Sequence, residues 1–116
     1  MNIQTQIQQV ELSLAEAKKV KAFGEAIERL EKNRDFRTVI LDGYFTDESR
    51  RLTFLTAEEN LDEAAMQHVY AGIRAIGELR KFLMARKQMA QVMEKEIRDH
   101  EETLDELRKE DAGEEL

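Results

Sequence analysis

Residues 60–111 read NLDEAAMQHVYAGIRAIGELRKFLMARKQMAQVMEKEIRDHEETLDELRKED, from Asn60 to Asp111, and this stretch decides the fold. A heptad seam recurs every seven positions in two adjoining rows. Val69, Ile76, Leu83, Ala90, Ile97 and Leu104 form one row; Gly72, Leu79, Arg86, Met93, His100 and Leu107 form the next. This is the pattern of a helix that lays a seam on a partner helix. At 1.5 Å per residue it spans roughly 75 Å, far beyond the three or four turns of an ordinary globular helix. Such a helix must be covered by the rest of the chain, by copies of itself or by another protein. The fold class predicted is all-α: a helical hairpin or bundle with one long C-terminal coiled-coil-like helix over about residues 61–111. Asn60 and Glu63 have the spacing of a capping box at its start. Residues 112–116 read as a disordered tail.

Upstream, Ile3, Ile7, Val10, Leu14 and Ala17 recur at four-three spacing, and Val20, Phe23, Ile27 and Leu30 continue in a row displaced by three. This predicts an N-terminal helix over about 2–33, either continuous or restarting at Ser13, which forms a second capping-box pair with Glu16. Gly24 inside it costs about 1 kcal/mol relative to Ala, which implies a close helix crossing or plain tolerance. The chain has no proline, a residue that would interrupt helices and is otherwise common in loops.

Residues 35–57 form a short middle segment. Asp35 is placed to cap a helix through Phe36, Val39 and Ile40, Asp42-Gly43 reads as a stop or turn, and a second piece begins near Thr46 and runs through Arg50, Arg51, Leu52, Phe54 and Leu55. A β-hairpin around Asp42-Gly43 is the competing reading, since Asp-Gly suits a two-residue turn. Charged flanks and the lack of alternation after Phe45 favour helices. Phe36, Tyr44, Phe45 and Phe54 gather most of the aromatic surface here, as the compact head of a single helical domain over 1–111. The arrangement expected has the N-terminal helices and this head folded on the first half of the long helix, with the second half projecting to self-associate. Heptads also permit an internal hairpin, in which Ile3, Ile7, Val10 and Leu14 cover Ile97 and Leu104 and no second chain is needed.

The 116 residues suffice for one domain, with 25 acidic against 18 basic side chains and a net charge of −7. The charge is segregated. Residues 1–57 are neutral, 58–73 carry −4, 74–93 carry +4 and 94–116 carry −7. A positive middle beside a negative end suits a staggered or antiparallel copy, or a basic partner surface for the tail. The overall sign disfavours nucleic acid and anionic lipid, and the basic strip Arg74, Arg80, Lys81 and Lys87 has only Tyr70 and Phe82 as neighbouring aromatics. No cysteine is present, no stretch approaches the ~20 apolar residues of a membrane span, and the N-terminus lacks a signal pattern. A soluble, intracellular protein is expected.

No residue constellation names a reaction. His68 and His100 lack the spacing of helical metal sites, Ser13 and Ser49 sit at proposed helix starts, and no glycine-rich phosphate loop occurs. Neighbouring carboxylates such as Asp62 and Glu63, or Glu101 and Glu102, point apart on a helix and do not suit paired acid-base work. The reading is a non-enzyme with no catalytic residue, cofactor, metal or small-molecule substrate. Met84, Met89 and Met93 read as core filling in preference to an adaptable docking face. His100 reads as a partly exposed seam residue among Glu96, Glu101 and Glu102, with register setting or pH-sensitive assembly as the functional alternative, and Arg86 covers apolar surface with its stem while its guanidinium reaches a carboxylate. The interface expected consists of Val69, Ile76, Leu79, Leu83, Arg86, Met93, Ile97, His100, Leu104 and Leu107.

The stretches Asp35-Phe36-Arg37-Thr38-Val39-Ile40-Leu41-Asp42-Gly43-Tyr44-Phe45, Glu48-Ser49-Arg50-Arg51-Leu52 and Ile73-Arg74-Ala75-Ile76-Gly77-Glu78-Leu79-Arg80-Lys81-Phe82-Leu83, with the acidic helical end, resemble small helical proteins encoded by tailed bacteriophages among virion-assembly genes. The likeness covers about residues 14–110. It implies a minor virion component, an assembly chaperone or a scaffold-like accessory, and carries no site residues with it. Typical scaffolding proteins bind coat through a basic helix-turn-helix end, whereas this end is acidic. On the hairpin reading of Asp42-Gly43, the helix-hairpin-helix plan is also similar to that of the prefoldin β subunit. The function expected is that of an oligomeric virion structural or assembly accessory. The alternative is an adaptor or inhibitor that binds a host protein through the acidic helical end.

Overall fold

Asn2 starts the first helix, its side-chain oxygen accepting a hydrogen bond from the Thr5 N–H at 2.8 Å. The computed structural model describes residues 2–115. Helix α1 (Ile3–Lys32) runs without interruption through Ser13, so the Ser13–Glu16 pair is not a second start. Asn33 ends it. With φ −70° and ψ 131° this residue turns the chain, and its Oδ1 accepts from the Phe36 N–H at 3.0 Å to cap α2 (Arg34–Phe36). The cap expected at Asp35 therefore lies two residues earlier, where an extended backbone aims the side chain at an N–H three residues on.

From α2 the backbone continues without a break into a π-helix, Arg37–Glu48, and then into α3 (Ser49–Leu55). No strand occurs among the described residues. The β-hairpin reading of Asp42-Gly43, and with it the likeness to a helix-hairpin-helix plan, does not hold. Nor is Gly43 a helix stop, since no described residue has positive φ, the conformation that makes glycine useful as a terminator. The wider winding shows at Thr46, whose hydroxyl donates to the Leu41 carbonyl five residues back at 3.2 Å. A π-helix of 12 residues is unusual, because the form mostly occurs as single-turn bulges. After α3, Asp62 caps α4 (Glu63–Glu115), its Oδ1 accepting from the Ala65 N–H at 2.7 Å. The cap is Asp62 where the sequence pattern pointed to Asn60. An ionised carboxylate there also faces the positive end of the helix dipole. Helix α4 runs on through residues 112–115, where a disordered tail was expected; Leu116 lies outside the described residues.

The chain divides into two compact units, residues 1–26 with 86–116 and residues 27–85. The reason is that α4 has different packing partners along its length. In the second unit, Leu52 of α3 packs on Val69 and Ile76, with Tyr44, Phe45, Leu55, Leu61 and Ile73 around them. Gly72 admits this contact, since a Cβ there would lie 3.0 Å from Leu52 Cδ1. The Tyr44 and Phe45 rings meet tilted at 6.0 Å between centroids. This is the aromatic head read from the sequence, although Phe54 and Val39 remain exposed.

In the first unit, α1 and α4 run antiparallel. Ile7, Leu14 and Ala17 pack with Ile97 and Leu104, and Ile3, Val10, Met93 and Leu107 flank them. The second half of α4 therefore does not project alone; the internal hairpin is the arrangement found. Burying these apolar side chains stabilises the pair by about 25 cal/mol per Å² removed from water. Gly24 is the close crossing. A methyl group at that position would overlap the Ala90 Cβ, and it would lie 3.3 Å from the Arg86 carbonyl oxygen.

Candidate interaction surface

The expected seam residues fall into two groups. Val69, Ile76, Leu83, Ile97 and Leu104 are buried, as is Ala90 in the same row. Their spacing is the heptad of the sequence, and the partners identified above for all but Leu83 lie in the same chain. Leu79 and Arg86 are exposed, whereas Met93, His100 and Leu107 are half-buried. The row that a sequence assigns to a second chain is thus largely occupied from within, and what remains lies along its margin.

The two flanks of the α1/α4 pair differ in chemistry. One is closed by polar pairs, Gln4 donating to Asp111 at 2.8 Å, Arg108 to Glu11 at 3.3 Å and Lys18 facing Glu101 at 3.9 Å. Residues 4, 11 and 18 are one heptad apart and therefore share a side of α1. These pairs are solvent-exposed and contribute at most about 1 kcal/mol each, so they specify register more than they stabilise.

The other flank is an open groove. Leu12, Glu16, Ala17 and Val20 of α1 face Met93, Glu96 and His100 of α4, with Ser13 at the rim. Past Val20 the groove continues into a hollow lined by Lys19, Phe23 and Arg86. Leu12 and Phe23 stay 66% and 48% exposed, and beyond the groove Met89 and Val92 add exposed apolar surface on α4. Reading the heptads alone missed Leu12, Val20 and Phe23 as surface candidates. Only Leu12 lies outside the apolar rows; Val20 and Phe23 stand in the displaced row that continues them.

Beyond Glu101, the acidic end presents Glu102 and Asp105 beside Arg98, all exposed. Asp105 pairs with Lys109 at 3.0 Å. In the second unit, Tyr44, Glu48, Arg51 and His68 rim a crevice over Leu52, Gly72 and Ile76, with Arg51 and Glu48 joined by an ion pair. The basic strip is partly engaged, Lys81 lying 3.7 Å from Glu78. No group of three or more His, Cys, Asp or Glu side chains is placed to hold a metal ion among the described residues. No described helix is long and apolar enough to cross a membrane. Comparison with family models, with curated proteins and with solved structures gives no match to this chain.

Proposed function

We propose that this chain is a non-enzymatic protein-interaction component, a structural or assembly accessory of a tailed-phage virion that acts as an oligomer. The observation that supports it is the distribution of apolar surface. No described side chain is completely buried, yet Leu12, Phe23, Met89 and Val92 stand exposed on helices whose internal seam is already covered. Scattered exposed apolar residues are ordinary. A thin two-helix core bordered by an open groove with exposed apolar residues is the arrangement that a further helical layer completes. The phage setting rests on the resemblance of the middle segment and the long helix described above.

The test is to follow the full-length protein through particle assembly with an antibody. Its presence in purified particles or in their assembly intermediates supports the role, and its confinement to free protein in early-infection fractions overturns it. The exposed carboxylates Glu101, Glu102 and Asp105 favour a second reading, an adaptor that covers a basic surface of a host protein. On that reading the free early-infection fraction is where the protein acts.

A further inference from the structure

We propose that the open groove of the α1/α4 pair docks a second copy of itself about a two-fold axis, with Phe23 and Met93 at the axis and Arg86 of each chain set against Glu16 of the other. The inference rests on the oligomeric part of the function proposed above and supplies its surface.

The geometry follows from the antiparallel pairing. Val20 and Met93 line the same groove, and Gly24 meets Ala90, so Phe23 and Met93 lie at about the same level. Glu16 is seven residues from Phe23 toward the start of α1, about 10.5 Å along the helix at 1.5 Å per residue. Arg86 is seven residues from Met93 toward the start of α4, the same distance. Because the helices are antiparallel, these equal offsets point in opposite directions. By level along the pair, the groove thus runs from Glu16 past Phe23 and Met93 to Arg86, whose side chain also lines the hollow beside Phe23.

A two-fold axis through the centre exchanges the ends. It brings the exposed Phe23 against its copy and carries each Arg86 to the other chain's Glu16, a self-complementary arrangement of the kind isologous interfaces require. Lys19 and Glu96 lie near one another's level and carry opposite signs, so they add no net repulsion. Glu16 already faces Lys19 at 3.5 Å, but both side chains are largely exposed and free to exchange partners. An unrelated apolar helix would have to supply this order of charges by coincidence, whereas the chain itself supplies it by symmetry.

Light scattering on a sizing column over a range of concentrations, with the full chain, tests the proposal. The wild type is expected to be a dimer. Phe23→Ser, and separately Arg86→Glu and Glu16→Arg, should each weaken dimerisation at least about tenfold, which is 1.4 kcal/mol. The combined Arg86→Glu/Glu16→Arg chain should recover the dimer, because its charge order is inverted but still self-complementary. Circular dichroism confirms that each variant keeps its helix content. A dimer insensitive to all three single changes overturns this pairing and leaves oligomeric function standing on another surface. A wild type that is monomeric at every concentration overturns the pairing and the oligomeric part of the function together.

Discussion

Gly24 of α1 and Ala90 of α4 meet with no room for a methyl group between them. The obstacle is another Cβ with the Arg86 carbonyl beside it, and neither can swing aside as the end of a long side chain would. Gly24→Ala should therefore destabilise the protein by about 1–3 kcal/mol through overpacking, even though alanine is the better helix former by about 1 kcal/mol. Urea unfolding followed by circular dichroism measures it. Adding Ala90→Gly should recover part of the loss if this contact is the cause.

Gly77 lies in the same α4 helix with nothing within 4 Å of where its Cβ would be. Gly77→Ala should raise stability by about 0.5–1 kcal/mol, since helix propensity acts there unopposed. Opposite signs at residues 24 and 77 would separate propensity from packing within one chain.

Ile97 belongs to the internal core, so Ile97→Ala should cost about 2–4 kcal/mol and lower the melting temperature at any protein concentration. Were residue 97 instead held by a second chain, the loss would fade as concentration rises, because association would then supply the stability.

Two caps are within reach of single substitutions. Asn33→Ala and Asp62→Ala each remove the acceptor of one helix-starting N–H and should each cost about 1 kcal/mol. Asn60→Ala and Asp35→Ala should fall within about 0.5 kcal/mol of the wild type. Thermal unfolding of the four variants compares them directly.

Replacing Glu101, Glu102 and Asp105 by their amides should leave helix content unchanged and move stability by less than about 1 kcal/mol, because the ion pairs of Glu101 and Asp105 are exposed. If these variants still engage every partner of the wild type in a pull-down, the acidic flank has no part in recognition and the adaptor reading is lost.

The all-α class and the long helix were legible in the sequence because periodicity is local. Val69, Ile76, Leu83, Ala90, Ile97 and Leu104 lie seven residues apart in the chain, and the same six are buried in the structure. Caps were read less well. Asn33 and Asp62 won over Asp35 and Asn60 because a cap depends on backbone angles at one residue, which a spacing pattern does not contain. The winding of Arg37–Glu48 left no mark that composition or periodicity could register. A heptad row states that a helix needs a partner without stating whose helix it is, since Ile7 and Leu14 of the same chain and the residues of another copy offer Ile97 and Leu104 the same apolar surface. The sequence by itself determined that the seam exists and where it runs. Only tertiary structure decided that α1 fills it, because that choice rests on the near approach at Gly24 and Ala90 and on pairs such as Glu11 with Arg108, contacts between residues far apart in the chain.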